Sequence, residues 1–104
     1  MDWRNYNMLT NPQKKYLKAE ANHLKPLYQI GKNEISDNTL VLLENGLRTQ
    51  ELIKVSVLKT VSMEPKGVGE VLASHLEAEL VQVVGRIITL YKENPKQRKY
   101  KLPK

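Results

Sequence analysis

Gly31-Lys32-Asn33-Glu34 lies between a short apolar run, Leu27 to Ile30, and a cluster of helix-capping residues, Ser36-Asp37-Asn38-Thr39. A glycine and a lysine at a strand-to-helix turn make a plausible place to hold an anion. Backbone N–H groups and the helix N-terminus attract negative charge, and the ammonium adds a point charge. Glu34 opposes that reading, because it puts a carboxylate where a phosphate cradle wants a glycine. Taken alone, these four residues fit a phosphate turn and a plain tight turn carrying a lysine equally well.

The remaining chemistry-bearing residues do not assemble an enzyme. His23 ends a basic helical stretch and should face solvent. His75 falls on the apolar seam of a helix, where a core or boundary histidine is expected. Two histidines without a cysteine or aspartate cluster do not make a metal site. Ser36, Ser56, Ser62 and Ser74 occupy no nucleophile-elbow pattern, and neither G-x-x-x-x-G-K-[ST] nor G-x-G-x-x-G occurs. Gly67-Val68-Gly69 reads as a helix entry. The carboxylates are spread along helix positions with no apolar pocket to raise a pKa. The chain is expected to be a binding protein that uses no cofactor, metal or small-molecule substrate.

The elements that must position the turn follow from periodicity. Thr10-Asn11-Pro12-Gln13 predicts a helix start with a capping box. That helix runs to about His23, with Leu17, Ala21 and Leu24 inward and Lys14, Lys15 and Lys18 largely outward. Pro26 closes it. Leu27 to Ile30 is a short strand, followed by a helix carrying Leu40, Leu43 and Leu47, with Val41 and Leu42 widening its apolar face. Glu51 to Leu58 is the clearest strand, with Ile53, Val55 and Val57 on one side. A third helix opens at Pro65 and aligns Val68, Val71, Leu72, His75 and Leu76. Gly85-Arg86 joins two strand-like runs, as a two-residue type II′ turn requires. From Asn94 onward, Pro95, Pro103 and the lysines read as an extended tail with no packing face. The order α-β-α-β-α-β-β implies a compact α/β domain with three helices and a four-stranded mixed sheet. The domain spans residues 1–94 and the basic tail residues 95–104.

The 104 residues carry a net charge of +6, unevenly placed. Five basic and two acidic side chains fall in residues 1–25, six and eight in residues 26–91, and six and one in residues 92–104. Two basic ends around a slightly acidic middle fit a polyanion partner, although a solvated helix face with a loose tail has the same composition. The absence of cysteine excludes thiol chemistry and disulfides. No apolar run approaches the roughly 20 residues needed to span a bilayer, and MDWRNYNMLT has no signal-peptide core. A soluble, cytoplasmic protein with no membrane partner is expected.

Three blocks, LTNPQKKYLKAEANHLKPLYQIGKNEI, LRTQELIKVSVL and EAELVQVVGRIITLYK, follow in an order and spacing that resembles the CRM domain (chloroplast RNA splicing and ribosome maturation). The resemblance is to its small stand-alone bacterial YhbY-like members and covers about Leu9 to Leu102. It implies a fold similar to the C-terminal domain of bacterial translation initiation factor three. It also implies RNA binding, since bacterial members associate with precursors of the large ribosomal subunit and plant members act in intron splicing. Such domains carry a Gly-x-x-Gly loop, which in KH domains clamps nucleotide backbone. Here it falls on Gly31, Lys32, Asn33 and Glu34, and the last glycine is missing. The basic first helix matches through Lys14, Lys15 and Lys18, and Arg86 falls in the family's hairpin as Val84-Gly85-Arg86.

The expected function is therefore binding of structured ribosomal RNA through its backbone, in assembly of the large subunit, by a monomer. The expected contacts are Gly31, Lys32, Asn33, Lys14, Lys15, Lys18 and Arg86, with Arg98 and Lys99 of the tail beside Lys96 and Lys101. Tyr100 is the tail's candidate for stacking on a base. The rival reading is a protein-interaction module whose basic tail docks an acidic partner surface. Non-specific DNA binding ranks last, because no helix displays a base-reading face of Arg, Asn and Gln.

Overall fold

In the computed structural model, which describes residues 9–31, 35–96 and 98–103, Thr10 opens the first helix with both halves of a capping box. The Thr10 hydroxyl accepts from the Gln13 N–H at 3.2 Å, and the Gln13 carboxamide oxygen accepts from the Thr10 N–H at 3.0 Å. This helix, α1 (Asn11–Ala21), ends two residues before His23. There Asn22 and Leu24 donate to Ala19 and Ala21, which tightens the last turn.

The chain continues through β1 (Tyr28–Ile30), α2 (Asp37–Gln50), β2 (Leu52–Val57), α3 (Pro65–Leu76), β3 (Glu79–Val84) and β4 (Ile87–Tyr91). Ser36 caps α2 by accepting from the Thr39 N–H at 3.2 Å. The strands form one sheet in the order β1-β2-β4-β3. The β1–β2 pair is parallel, as a helical crossover demands, and the other two pairs are antiparallel. Gly85 has a φ of +59° and Arg86 does not join it in the left-handed region, consistent with the expected type II′ turn.

The two sheet faces are covered unequally. Ile30, Ile53, Val55, Val57, Ile88 and Leu90 point to the side of α2 and α3, where they pack with Leu43, Leu47, Val68, Leu72 and Leu76. The alternation of β2 sends Leu52 to the opposite side, into a smaller cluster with Leu17, Ala21, Val81 and Tyr91. Val81 shares the α1 face with Glu79, and a bulge between Leu80 and Gln82 brings Gln82 onto that face as well, opposite Thr89.

Val41 and Leu42 were expected to widen the buried face of α2 but are 58% and 59% exposed. Only the stripe at i, i+3 and i+4 reaches the core: Leu43, Gly46 and Leu47 are buried, and Leu40 packs at the edge. Gly46 is not a weak point in the helix. A Cβ there would collide with the Tyr28 hydroxyl and lie 2.7 Å from its Cζ. The bare backbone lets the ring cross the helix. Gly46→Ala should therefore cost about 1–3 kcal/mol of stability by overpacking, although alanine is the better helix former by roughly 1 kcal/mol. Thermal unfolding should show the loss, and the Tyr28→Ala background should abolish it.

Candidate nucleic-acid interface

The carboxyl ends of β1 and β2 and the β3–β4 turn meet at one edge of the sheet. Leu58 N–H donates to Ile30 O at 2.9 Å, and Val57 N–H donates to Arg86 O at 2.8 Å. Arg86 was expected to face RNA. Its guanidinium is aimed at the protein's own backbone, with Nε donating to Val57 O and Nη2 to Leu58 O, each at 2.7 Å. It fastens the hairpin to the end of β2. Gly31 leaves β1 beside this lock, where an added Cβ would lie 3.3 Å from a Leu58 methyl. Lys32, Asn33 and Glu34 lie outside the described residues.

The lysines of α1 occupy a flank fixed by what the rest of the helix does. Leu17 and Ala21 are buried against the sheet. Gln13 and Tyr16 face the C-terminal segment: Gln13 Nε2 donates to Pro103 O at 3.0 Å, and Tyr16 packs in the cluster with Tyr100. The helical repeat then puts Lys14 and Lys18 on the opposite flank and Lys15 on the outward face. Lys15 and Lys18 are exposed and Lys14 is half-buried. The sheet surface not covered by α1 carries Lys54, Ser56 and Gln82, all half-exposed, and Val84, which is 62% exposed. This polar strip runs from α1 toward the Gly31 edge. Glu79 lies under the start of α1 and accepts from the Leu9 N–H at 2.9 Å. Burial pushes its carboxyl pKa up, while the Leu9 amide and the charge of Lys14 pull it down.

The expectation that residues 95–104 have no packing face is overturned for the segment 98–103. Tyr100 and Leu102 pack into the α1 cluster, while Lys99 and Lys101 are exposed. This is the period-two alternation of an extended chain on a surface, and Lys-Tyr-Lys-Leu is its signal in the sequence. Its anchor is Glu51, which by sequence alone reads as the first residue of a strand. Glu51 instead terminates α2 and is fully buried. Its Oε1 accepts from the Lys99 N–H at 2.6 Å and the Tyr100 N–H at 3.2 Å, and its Oε2 accepts from the Asn94 N–H at 2.6 Å. Arg98 is ion-paired with Glu93 at the surface. Burial pushes the Tyr91 hydroxyl pKa up, and the Glu51 charge adds to this. Tyr100 shifts the same way, by burial first and then by the charge of Glu20.

His23 and His75 are both exposed. His75 lines a cleft between α2 and α3 with Ile35, Leu40, Met63 and Val71, the boundary rather than the core of the two positions expected for it. Among the described residues no group of three His, Cys, Asp or Glu could hold a metal ion. No helix of the described residues is long and apolar enough to cross a membrane.

The family model described as the CRS1 / YhbY (CRM) domain matches residues 9–92. The chain belongs to the CRM domain family. It is 40% identical over 96 residues to the probable RNA-binding protein YqeI of Bacillus subtilis, covering 92% of this chain and all of that one. A protein of Methanocaldococcus jannaschii, also named a probable RNA-binding protein, is 37% identical over 94 residues, covering 88% of this chain and 69% of its own. The solution structure of the hypothetical protein SAV1595 of Staphylococcus aureus superimposes with a TM-score of 0.79 at 38% identity, covering 92% of this chain and all of that one.

This CRM domain thus presents a helix flank of cations and a polar sheet strip, with Arg86 bracing the edge where Gly31 leaves β1. Arg86→Ala removes two charge-assisted bonds to carbonyls. It should lower stability by about 1–3 kcal/mol, read as a fall in the urea midpoint with an unchanged m-value. Arg86→Lys should restore only part of this, since an ammonium lacks the two-pronged geometry.

Proposed function

We propose that this CRM domain binds structured RNA through its sugar–phosphate backbone, in assembly of the large ribosomal subunit. The cation flank of α1 carries the reading. Lys14, Lys15 and Lys18 stand on a helix whose inward side is buried at Leu17 and Ala21 and whose Gln13 flank meets the C-terminal segment, which leaves the lysine side for a partner. Backbone contacts to phosphate set affinity without reading sequence. The polar sheet strip and the Gly31 turn extend this surface, with Lys32 and Asn33 completing the phosphate contact. The relatives named as RNA-binding proteins support an RNA partner. The ribosomal assignment follows the family resemblance. The domain acts as a cytoplasmic monomer, without catalysis or a cofactor.

Binding that engages about five phosphates should weaken with salt at a log–log slope of roughly −3.5 to −4.5. Fluorescence anisotropy with a labelled large-subunit RNA fragment measures it, and a slope near zero would sink the reading. The triple variant Lys14→Glu, Lys18→Glu and Lys32→Glu should lose binding while keeping its circular dichroism spectrum. On a sucrose gradient of cell extract, the wild-type chain should sediment with large-subunit precursors and the triple variant should stay at the top.

A further inference from the structure

Glu51 and residues 98–103 show an arrangement that a loose basic tail would lack. The Glu51 carboxylate is out of solvent and is satisfied by backbone N–H groups of Asn94, Lys99 and Tyr100. Using main-chain donors leaves the tail's ammonium groups uncommitted to Glu51. Asn94 adds a second tie, its side-chain amide donating to Arg48 O at 2.7 Å. Pro103 O receives the Gln13 bond at the far end. The segment is therefore anchored at both ends, with Tyr100 and Leu102 pointing in between.

The outward residues form a row. In an extended chain, residues two apart lie about 6.6 Å from each other on the same side, comparable to the spacing of successive phosphates along a nucleic-acid strand. Lys99 and Lys101 occupy such positions and are exposed. Arg98 shares its charge with Glu93, so the row rests on the two lysines. The segment flanks α1 on the side of Gln13 and Tyr16. Going around the helix from there, the next cation is Lys15, then Lys18 and Lys14 on the far flank. The cations thus flank α1 on both sides of its outer face, with Glu20 beside Tyr100 the acid among them.

We propose that Glu51 is a positioning residue that holds residues 98–103 as a fixed arm, on which Lys99 and Lys101 receive successive phosphates of the strand that crosses α1. This rests on the RNA-binding reading above. A preset arm binds without the ordering cost that a free tail would meet at the moment of association. Glu51→Gln would undo the setting, since a carboxamide offers one acceptor oxygen and turns an NH2 group toward backbone donors.

The test is the salt dependence of binding to a fluorescein-labelled RNA stem-loop, in the full chain. Lys99→Ala with Lys101→Ala should flatten the log–log slope by about 1.4–1.8, the share of two phosphates. Glu51→Gln should flatten it by a similar amount, and should flatten it no further when added to the double lysine variant. A purely structural Glu51 would weaken binding with the slope unchanged, and that result would overturn the positioning role. The lysine variant touches only exposed side chains and keeps the proposal falsifiable if Glu51→Gln fails to fold. If the wild-type slope is steep and Lys14→Glu with Lys18→Glu flattens it, but the arm variant does not, the arm fails and RNA binding stands. A flat wild-type slope defeats both.

Discussion

A carboxylate removed from water must be met by donors or it destabilises the fold by several kcal/mol. Glu51 meets that demand in an unusual place. It sits at the end of α2 with φ +64° and ψ −42°, a conformation that typically costs a non-glycine residue about 1–3 kcal/mol. The surroundings hold it there at every polar atom. Its N–H donates to Leu47 O, its carbonyl accepts from the Lys92 N–H, and its carboxylate accepts three more N–H bonds. One residue thus ties the end of a helix, the start of the central strand, the exit from β4 and the C-terminal segment. The pairing of Leu52 with Tyr91 follows directly, because the chain on both strands leaves the same knot.

The knot matters most to the thinner layer of the fold. The sheet face toward α2 and α3 has a broad core to which the tail contributes no side chain. The opposite face is covered by α1 and the C-terminal segment, and α1 buries two side chains. A helix of eleven residues is marginal by itself. Tyr100 and Leu102 enlarge its contact, and Gln13 is bonded across to Pro103. Helix and tail share one small cluster on the sheet and pack together there. That economy leaves the outside of α1 polar and open.

What the sequence made legible was local. The capping box at Thr10, the glycine turn at Gly85 and the alternation of β2 each depend on residues within a few positions, and all appear as expected. The width of a buried face does not. Leu40-Val41-Leu42-Leu43 is apolar throughout, and only the distance to the sheet and to α3 decides that Val41 and Leu42 stay in water. The tail fails for a different reason. The Lys-Tyr-Lys-Leu alternation is visible in the sequence, but Pro95, Pro103 and the lysines outweigh it. Its justification is Glu51, some fifty residues earlier and resembling any strand-edge acid. Arg86 shows the same limit, because a cation in a hairpin looks like a surface contact until folding brings the carbonyls of Val57 and Leu58 within its reach. The turn that begins at Gly31 is a different case: its first glycine and the family pattern around it suggested a phosphate contact, and Lys32, Asn33 and Glu34 lie beyond what the structure describes.

The charge segregation along the chain becomes a sidedness in space, and the handling of carboxylates explains how. On the α1 side, Glu51 and Glu79 are both directed at backbone N–H groups, Glu51 at the C-terminal segment and Glu79 at Leu9. They hold the structure while presenting little negative charge outward. Arg98 is paired with Glu93 and the Lys92 ammonium with Leu76 O, while Lys15, Lys18, Lys99 and Lys101 remain exposed at the surface. On the α2 and α3 side exposed Asp37, Glu44, Glu64 and Glu70 outnumber exposed Arg48 and Lys66. A polyanion approaching this molecule would be favoured at α1 over the opposite face, so the field orients it before any contact forms. The modest net charge of +6 therefore understates the positive charge on the α1 side. For the proposed contact through the sugar–phosphate backbone, with no bases to read, orientation would have to come from where the protein keeps its acids.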